Sequence, residues 1–210
     1  MVSKLEIGDK FFLWLTEIDE ETSRQVAAGG CPACGGPLHR GDYPRKPRGG
    51  LLGIAGEAFS KRISLCCGRA GCRKRATPPS VRFLGRRVYL GAAVMLASAM
   101  ACLVAVAQVG ADWQIPARTV HRWTQAWQQE FPKGRFYQEQ QGRFIPPLAA
   151  KRLPASLMER LEGPGRDEQE VLVRTLCFLS PLTTGSVCGG ASYSRAEKKP
   201  AEDGNSLGGS

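Results

Sequence analysis

Apolar residues recur at helical spacing in some stretches of the chain and thin out in others. Near the amino end Phe11, Phe12, Leu15 and Ile18 are separated by acids and predict a helix within residues 1–30, read as a partner or lid helix. From 31 to 80 apolar side chains are few and Gly and Pro frequent, so this stretch needs some support other than a large core. Val120, Trp123, Thr124 and Trp127 follow i, i+3, i+4, i+7, the inward stripe of a helix over 117–130. Residues 153–161 predict a short amphipathic helix stopped by Gly163-Pro164-Gly165, and 167–180 predict another. Beyond about 183, Gly, Ser, Lys and Glu predominate, the composition of a disordered tail.

Between Val88 and Ala111 lie 24 residues without a charge, about 36 Å as one helix and long enough to span a bilayer core of about 30 Å. A single-span protein with a cytoplasmic amino-terminal module, anchored at about 88–109, is therefore an alternative reading. Eight of the 24 are Ala, three are Leu, and Ile and Phe are missing, a composition closer to closely packed helices than to a lipid-facing one. The favoured reading is two helices, about 88–101 and 104–113, with no membrane partner.

Charge changes the picture. Of a net +10, residues 31–90 carry +11, with 13 basic and 2 acidic side chains, while residues 1–30 carry −3. A polyanion meets the middle of such a chain first, although a solvated basic face has the same composition.

Eight cysteines are present and the first ten residues are mixed and polar rather than a secretory signal, so a reducing cytoplasm is the expected location. Cys31-Pro-Ala-Cys34-Gly-Gly and, about thirty residues on, Cys66-Cys67-Gly-Arg-Ala-Gly-Cys72 have the paired spacing of metal knuckles. The expected ligands of a structural Zn2+ are Cys31, Cys34, Cys67 and Cys72, with Cys66 as the alternate. A thioredoxin-like pair fits less well, because Cys34 runs into Gly-Gly-Pro rather than a helix. His39 is read as an exposed polar residue. Four thiolates close the coordination sphere and leave no position for a catalytic water.

The stretch Val109-Gly110-Ala111-Asp112-Trp113-Gln114-Ile115-Pro116-Ala117-Arg118-Thr119-Val120-His121-Arg122-Trp123 resembles a DNA-binding helix-turn-helix. Gly110 stands where two helices approach, Trp113 closes the first, Ile115 is the buried turn residue, and Thr119-Val120-x-Arg122-Trp123 matches a recognition helix. The usual turn glycine is Gln114. The resemblance implies base contacts from Arg118, Thr119, His121, Arg122 and Gln125, and phosphate contacts from Arg73, Lys74, Arg75, Arg82, Arg86 and Arg87. Over roughly 30–150 the chain resembles the DNA-binding front part of bacterial transposases and transposon-associated proteins. That implies an accessory or truncated binder of double-stranded DNA working with a separate catalytic transposase. Asp167, Glu168 and Glu170 form one local cluster rather than three spaced catalytic acids, so enzyme activity and a small-molecule substrate are not expected.

The expected architecture is small and α+β: an N-terminal helical segment (1–30), a four-cysteine zinc ribbon with a basic loop (31–80), a mainly α-helical helix-turn-helix bundle (81–150), short C-terminal helices (151–182) and a disordered tail (183–210). Thr77-Pro78-Pro79-Ser80 is read as the linker between ribbon and helices. A protein-interaction adaptor is the third reading.

Overall fold

A computed structural model of the protein describes residues 7–45, 47, 55–84 and 90–184. Helix α1 (Asp9–Ala28) buries Phe11, Phe12 and Leu15 on one side. It ends at Gly29, and Gly30 turns the chain with φ +72°. Five short strands follow: β1 (Leu38–Arg40), β2 (Tyr43–Pro44), β3 (Lys61–Arg62), β4 (Leu65–Cys67) and β5 (Arg75–Ala76). They form two antiparallel sheets, one ordered β1-β4-β5 and one pairing β2 with β3. Leu38 lies opposite Cys67, and Leu65 opposite Ala76.

The described part of the uncharged run, 90–111, breaks into α2 (Gly91–Met100) and α3 (Val106–Asp112). Among the described residues no helix is long and apolar enough to cross a membrane. A tight turn leads to α4 (Ala117–Gln125), which runs on through a π-type turn at Ala126–Glu130. Then come α5 (Arg135–Gln140), α6 (Ala155–Leu161) and α7 (Glu168–Leu179). The Asp167 carboxylate caps α7 by accepting from the Glu170 amide at 2.7 Å, which satisfies one of the amides that a helix start leaves open.

The four segments expected ahead of the tail are not independently packed. One cluster joins Phe11, Phe12 and Leu15 of α1 to Phe59, Phe83, Leu96, Leu157, Leu172 and Leu176. At about 1.5–3 kcal/mol per fully buried large apolar side chain, α1 is part of the core and not a lid. The stretch 77–80 is likewise no free linker. Pro78 and Ser80 are buried, and the Ser80 amide donates to Thr183 Oγ1 at 2.9 Å. A second, smaller cluster of Ala97, Val109, Ile115, Val120 and Trp123 ties α2, α3 and α4 together. The tail beyond 184 lies outside the described residues.

Candidate metal centre and helical surface

Four cysteine sulfurs gather where the end of α1 meets the β1-β4-β5 sheet. Those of Cys31, Cys34, Cys67 and Cys72 all lie within 4.8 Å of one another, an arrangement that can hold a metal ion. The Cys31–Cys72 separation is 3.8 Å and the Cys34–Cys67 separation 3.5 Å, far beyond a disulfide bond.

The first knuckle is closed by its own backbone. The Cys31 carbonyl accepts from the amides of Cys34 and Gly35, and the Cys31 amide donates to Gly36 O at 2.8 Å. Gly35 adopts φ +70°, and a Cβ on Gly36 would stand 3.2 Å from Cys67 Sγ and 3.4 Å from Cys34 Sγ. The two glycines after Cys34 thus let the second knuckle close onto the first.

The second knuckle has two more residues than the usual spacer, and positive φ values at Gly71 (+82°) and Arg73 (+46°) accommodate them. The Arg69 amide points at Cys67 Sγ at 3.4 Å. Neighbours on a strand face opposite ways, so β4 can turn only one of Cys66 and Cys67 toward the cluster. That one is Cys67, and Cys66 Sγ lies against Gly41. His39, paired with Cys66 across the sheet, is outside the cluster.

The thiols perturb one another strongly. The Gly36 amide, helped by Cys72 and Cys67, lowers Cys34 to about 7. The Arg69 amide pulls Cys67 down, but burial together with Cys34, Cys72 and Cys31 outweighs it and pushes that thiol up to about 12. Such a spread is expected of four acids that cannot all ionise side by side without a cation.

On α4, Arg118, His121, Arg122 and Gln125 are exposed, whereas Val120, Trp123 and Trp127 are buried and Thr124 half-buried. None of the four exposed side chains has a hydrogen-bond or ion-pair partner among the described residues. No acid occurs between Trp113 and Gln129. By contrast Arg40, Arg135, Arg152 and Arg174 each pair with a carboxylate. Gln114 occupies the turn with φ +51°, the left-handed conformation that the missing glycine normally supplies. A Cβ on Gly110 would lie 2.8 Å from Ile115 O, so α3 and the turn meet there in backbone contact.

Three expected contacts stand differently. Thr119 is 6% exposed, because α2 and α3 both pack on α4 and widen its covered arc. Arg82 is 2% exposed and forms an ion pair with Asp19 at 2.7 Å, so its guanidinium is committed to partners within the protein. Arg75 is exposed but tied, its Nη1 donating to Gly41 O and Ser64 Oγ. Arg73 and Lys74 are exposed beside the second knuckle, and Arg86 and Arg87 lie outside the described residues. Sequence reasoning missed Asp19 and Arg62, both buried; one acid in the run Glu17-Ile18-Asp19-Glu20-Glu21 and one arginine among thirteen basic residues carried no local signal. No protein-family model, curated protein or solved structure matches the chain.

Proposed function

We propose that the chain is a zinc-stabilised binder of double-stranded DNA, cytoplasmic and transposon-associated, acting as an accessory to a separate catalytic transposase. The observation that carries the reading is the outer face of α4, where Arg118, His121, Arg122 and Gln125 are exposed and unpartnered on a segment without acids. In a major groove, Arg118 and Arg122 match the O6 and N7 acceptors of guanine, and Gln125 matches adenine. Gly110, the left-handed Gln114 and buried Ile115 support a helix-turn-helix, and Arg73 and Lys74 supply phosphate contacts.

Zinc is the metal the thiol set favours. A tetrahedral ion with bonds of about 2.3 Å to sulfur places its ligands about 3.8 Å apart, close to the 3.5 and 3.8 Å observed. Cys31, Cys34, Cys67 and Cys72 would hold it, and its chemistry there is structural, since four thiolates leave no open position.

Elemental analysis of the full chain, beside a salt-series titration with random duplex, tests both halves of the reading. Expected are one zinc per chain and, for about four phosphate contacts, a slope of log K against log salt near about −4. Arg122→Ala should relax sequence preference, while Arg73→Ala should weaken all duplexes alike. Salt-insensitive binding, or equal behaviour of the two variants, overturns the assignment. Exposed Leu13 (62%) and Trp14 (39%) on α1 favour the adaptor as second reading, and zinc-loaded protein without DNA affinity would select it.

A further inference from the structure

A second concentration of positive charge lies where β2 and β3 meet the body of the protein, and much of it is buried. Arg62 and Arg82 are each only 2% exposed. Arg82 is fully engaged: its Nε donates to Asp19 Oδ2 at 2.7 Å, its Nη1 to Ala58 O at 2.6 Å, and it lies 5.4 Å from the ring centres of Phe59 and Phe83. Asp19 is engaged too, accepting from Ser80 Oγ at 2.5 Å and the Val81 amide at 2.7 Å besides Arg82.

Arg62 is left over. Its Nη2 donates to Pro78 O at 2.5 Å, and its buried Nη1 has no hydrogen-bond partner among the described residues. Among the described residues the charged groups around it are Asp19, Arg82 and Arg45, and Asp19 is already engaged by Arg82. Loss of water lowers its affinity for a proton, yet a guanidinium keeps its charge even when buried. A buried charge that shares its nearby carboxylate with a second guanidinium is a costly arrangement for a fold to keep.

The neighbourhood is also ordered. Arg45 lies 5.6 Å from the Tyr43 ring centre and 5.8 Å from that of Phe83, and Arg75 lies 5.8 Å from Tyr43. Arg75, Tyr43, Arg45, Phe83, Arg82 and Phe59 therefore alternate cation and ring. Tyr43 and Arg45 are half-buried, so the series reaches the surface beside Arg62.

We propose that this cluster is an oxyanion site for a phosphate group, bound by the free Nη1 of Arg62 and entered from the side of Arg45 and Tyr43. Guanidinium suits the task because its planar fork donates charge-assisted hydrogen bonds to phosphate oxygens. Stacking on aromatic faces holds the surrounding guanidiniums in place before the anion arrives. Inorganic phosphate and a nucleic-acid backbone share this chemistry. The site does not depend on α4, so it stands or falls separately from the DNA reading.

Thermal unfolding of the full, metal-loaded chain tests it, with sodium phosphate titrated against sodium chloride at equal ionic strength. Phosphate should raise the wild-type midpoint saturably, by about 3–6 °C at ten times its Kd. Arg62→Met should abolish that gain and melt a few degrees above wild type without phosphate, because the costly buried charge is gone. Arg62→Lys should retain a reduced gain. Equal effects of phosphate and chloride overturn the proposal. So does an Arg62→Met chain that is less stable than wild type in chloride or fails to fold, since Arg62 would then be satisfied by the protein itself. A duplex titration separates the sources: competition between phosphate and duplex in wild type but not in Arg62→Met assigns the site to a nucleic-acid phosphate, and its absence assigns it to the free anion.

Discussion

The cysteine-bearing region, 31–76, and the helical region, 90–179, are held together by different physics. The first has short strands, positive-φ turns at Gly35, Gly71 and Arg73, and four sulfurs at its centre. The second packs Leu96, Leu157, Leu172 and Leu176 into a continuous apolar core. Arg40 ties the strands to α1 on the outside, with both Nη atoms on the Glu20 carboxylate and Nε on Asp42. Asp19 joins α1 to the start of the helical region within, through Ser80, Val81 and Arg82. A fold built this way would concentrate its vulnerability: with a metal on the four sulfurs, one part would depend on a few ligand bonds, while the other depends on many small apolar contributions.

Removing the metal proposed for the four-cysteine site should break the comparison most sharply. Structural zinc contributes on the order of 10–16 kcal/mol, more than a typical domain's whole stability, so a chelator should unfold 31–76 first. Hydrogen exchange should show protection lost across β1, β4 and β5 while α2 and α7 retain it. Cys67→Ser should mimic the chelator and Cys66→Ser should not; the opposite order would overturn the ligand set. Because Cys34 is lowered only to about 7 and burial with its neighbours raises Cys67, loading a divalent ion at neutral pH must displace protons. Apparent metal affinity should therefore rise with pH, and proton release on titration with zinc measures it directly.

The next effect comes from the junction. Asp19→Asn leaves Arg82 buried without its counter-ion, and removing one partner of a buried pair costs about 3–5 kcal/mol. Glu139→Gln removes an exposed partner of Arg135 on α5 and should cost less than about 1 kcal/mol. Denaturant midpoints that moved equally would mean that burial does not separate the two pairs.

How much of this was legible depended on whether the deciding contact was local. The Val120, Trp123, Trp127 stripe is set within a turn or two of helix, and the sequence displays it. The cysteine spacing showed which residues gather and favoured Cys67 with Cys66 as the alternate, while the face of β4 that turns inward makes the choice. Arg82 looked like Arg73: a sequence gives an arginine the same charge whether it meets solvent or Asp19, some sixty residues away. The same blindness made 77–80 look like a linker, α1 like a lid and Thr119 like an outward contact. Each was decided by a partner distant in the chain.

The smallest expected effect tests the turn between α3 and α4. Gln114 is exposed and carries φ +51°, so its side chain contributes little packing while its Cβ opposes the backbone conformation. Gln114→Gly should stabilise the protein by about 0.5–1 kcal/mol, the left-handed penalty less the added freedom of the unfolded chain. Four residues earlier the sign reverses. Gly110→Ala sets a methyl group 2.8 Å from a backbone oxygen, Ile115 O, which no side-chain rotation relieves, so the turn must open. Chemical denaturation of both variants should show opposite shifts, with zinc content unchanged in each. Shifts of the same sign would mean that α3 and α4 do not meet through this turn, and the base-reading face assigned to α4 would lose its support.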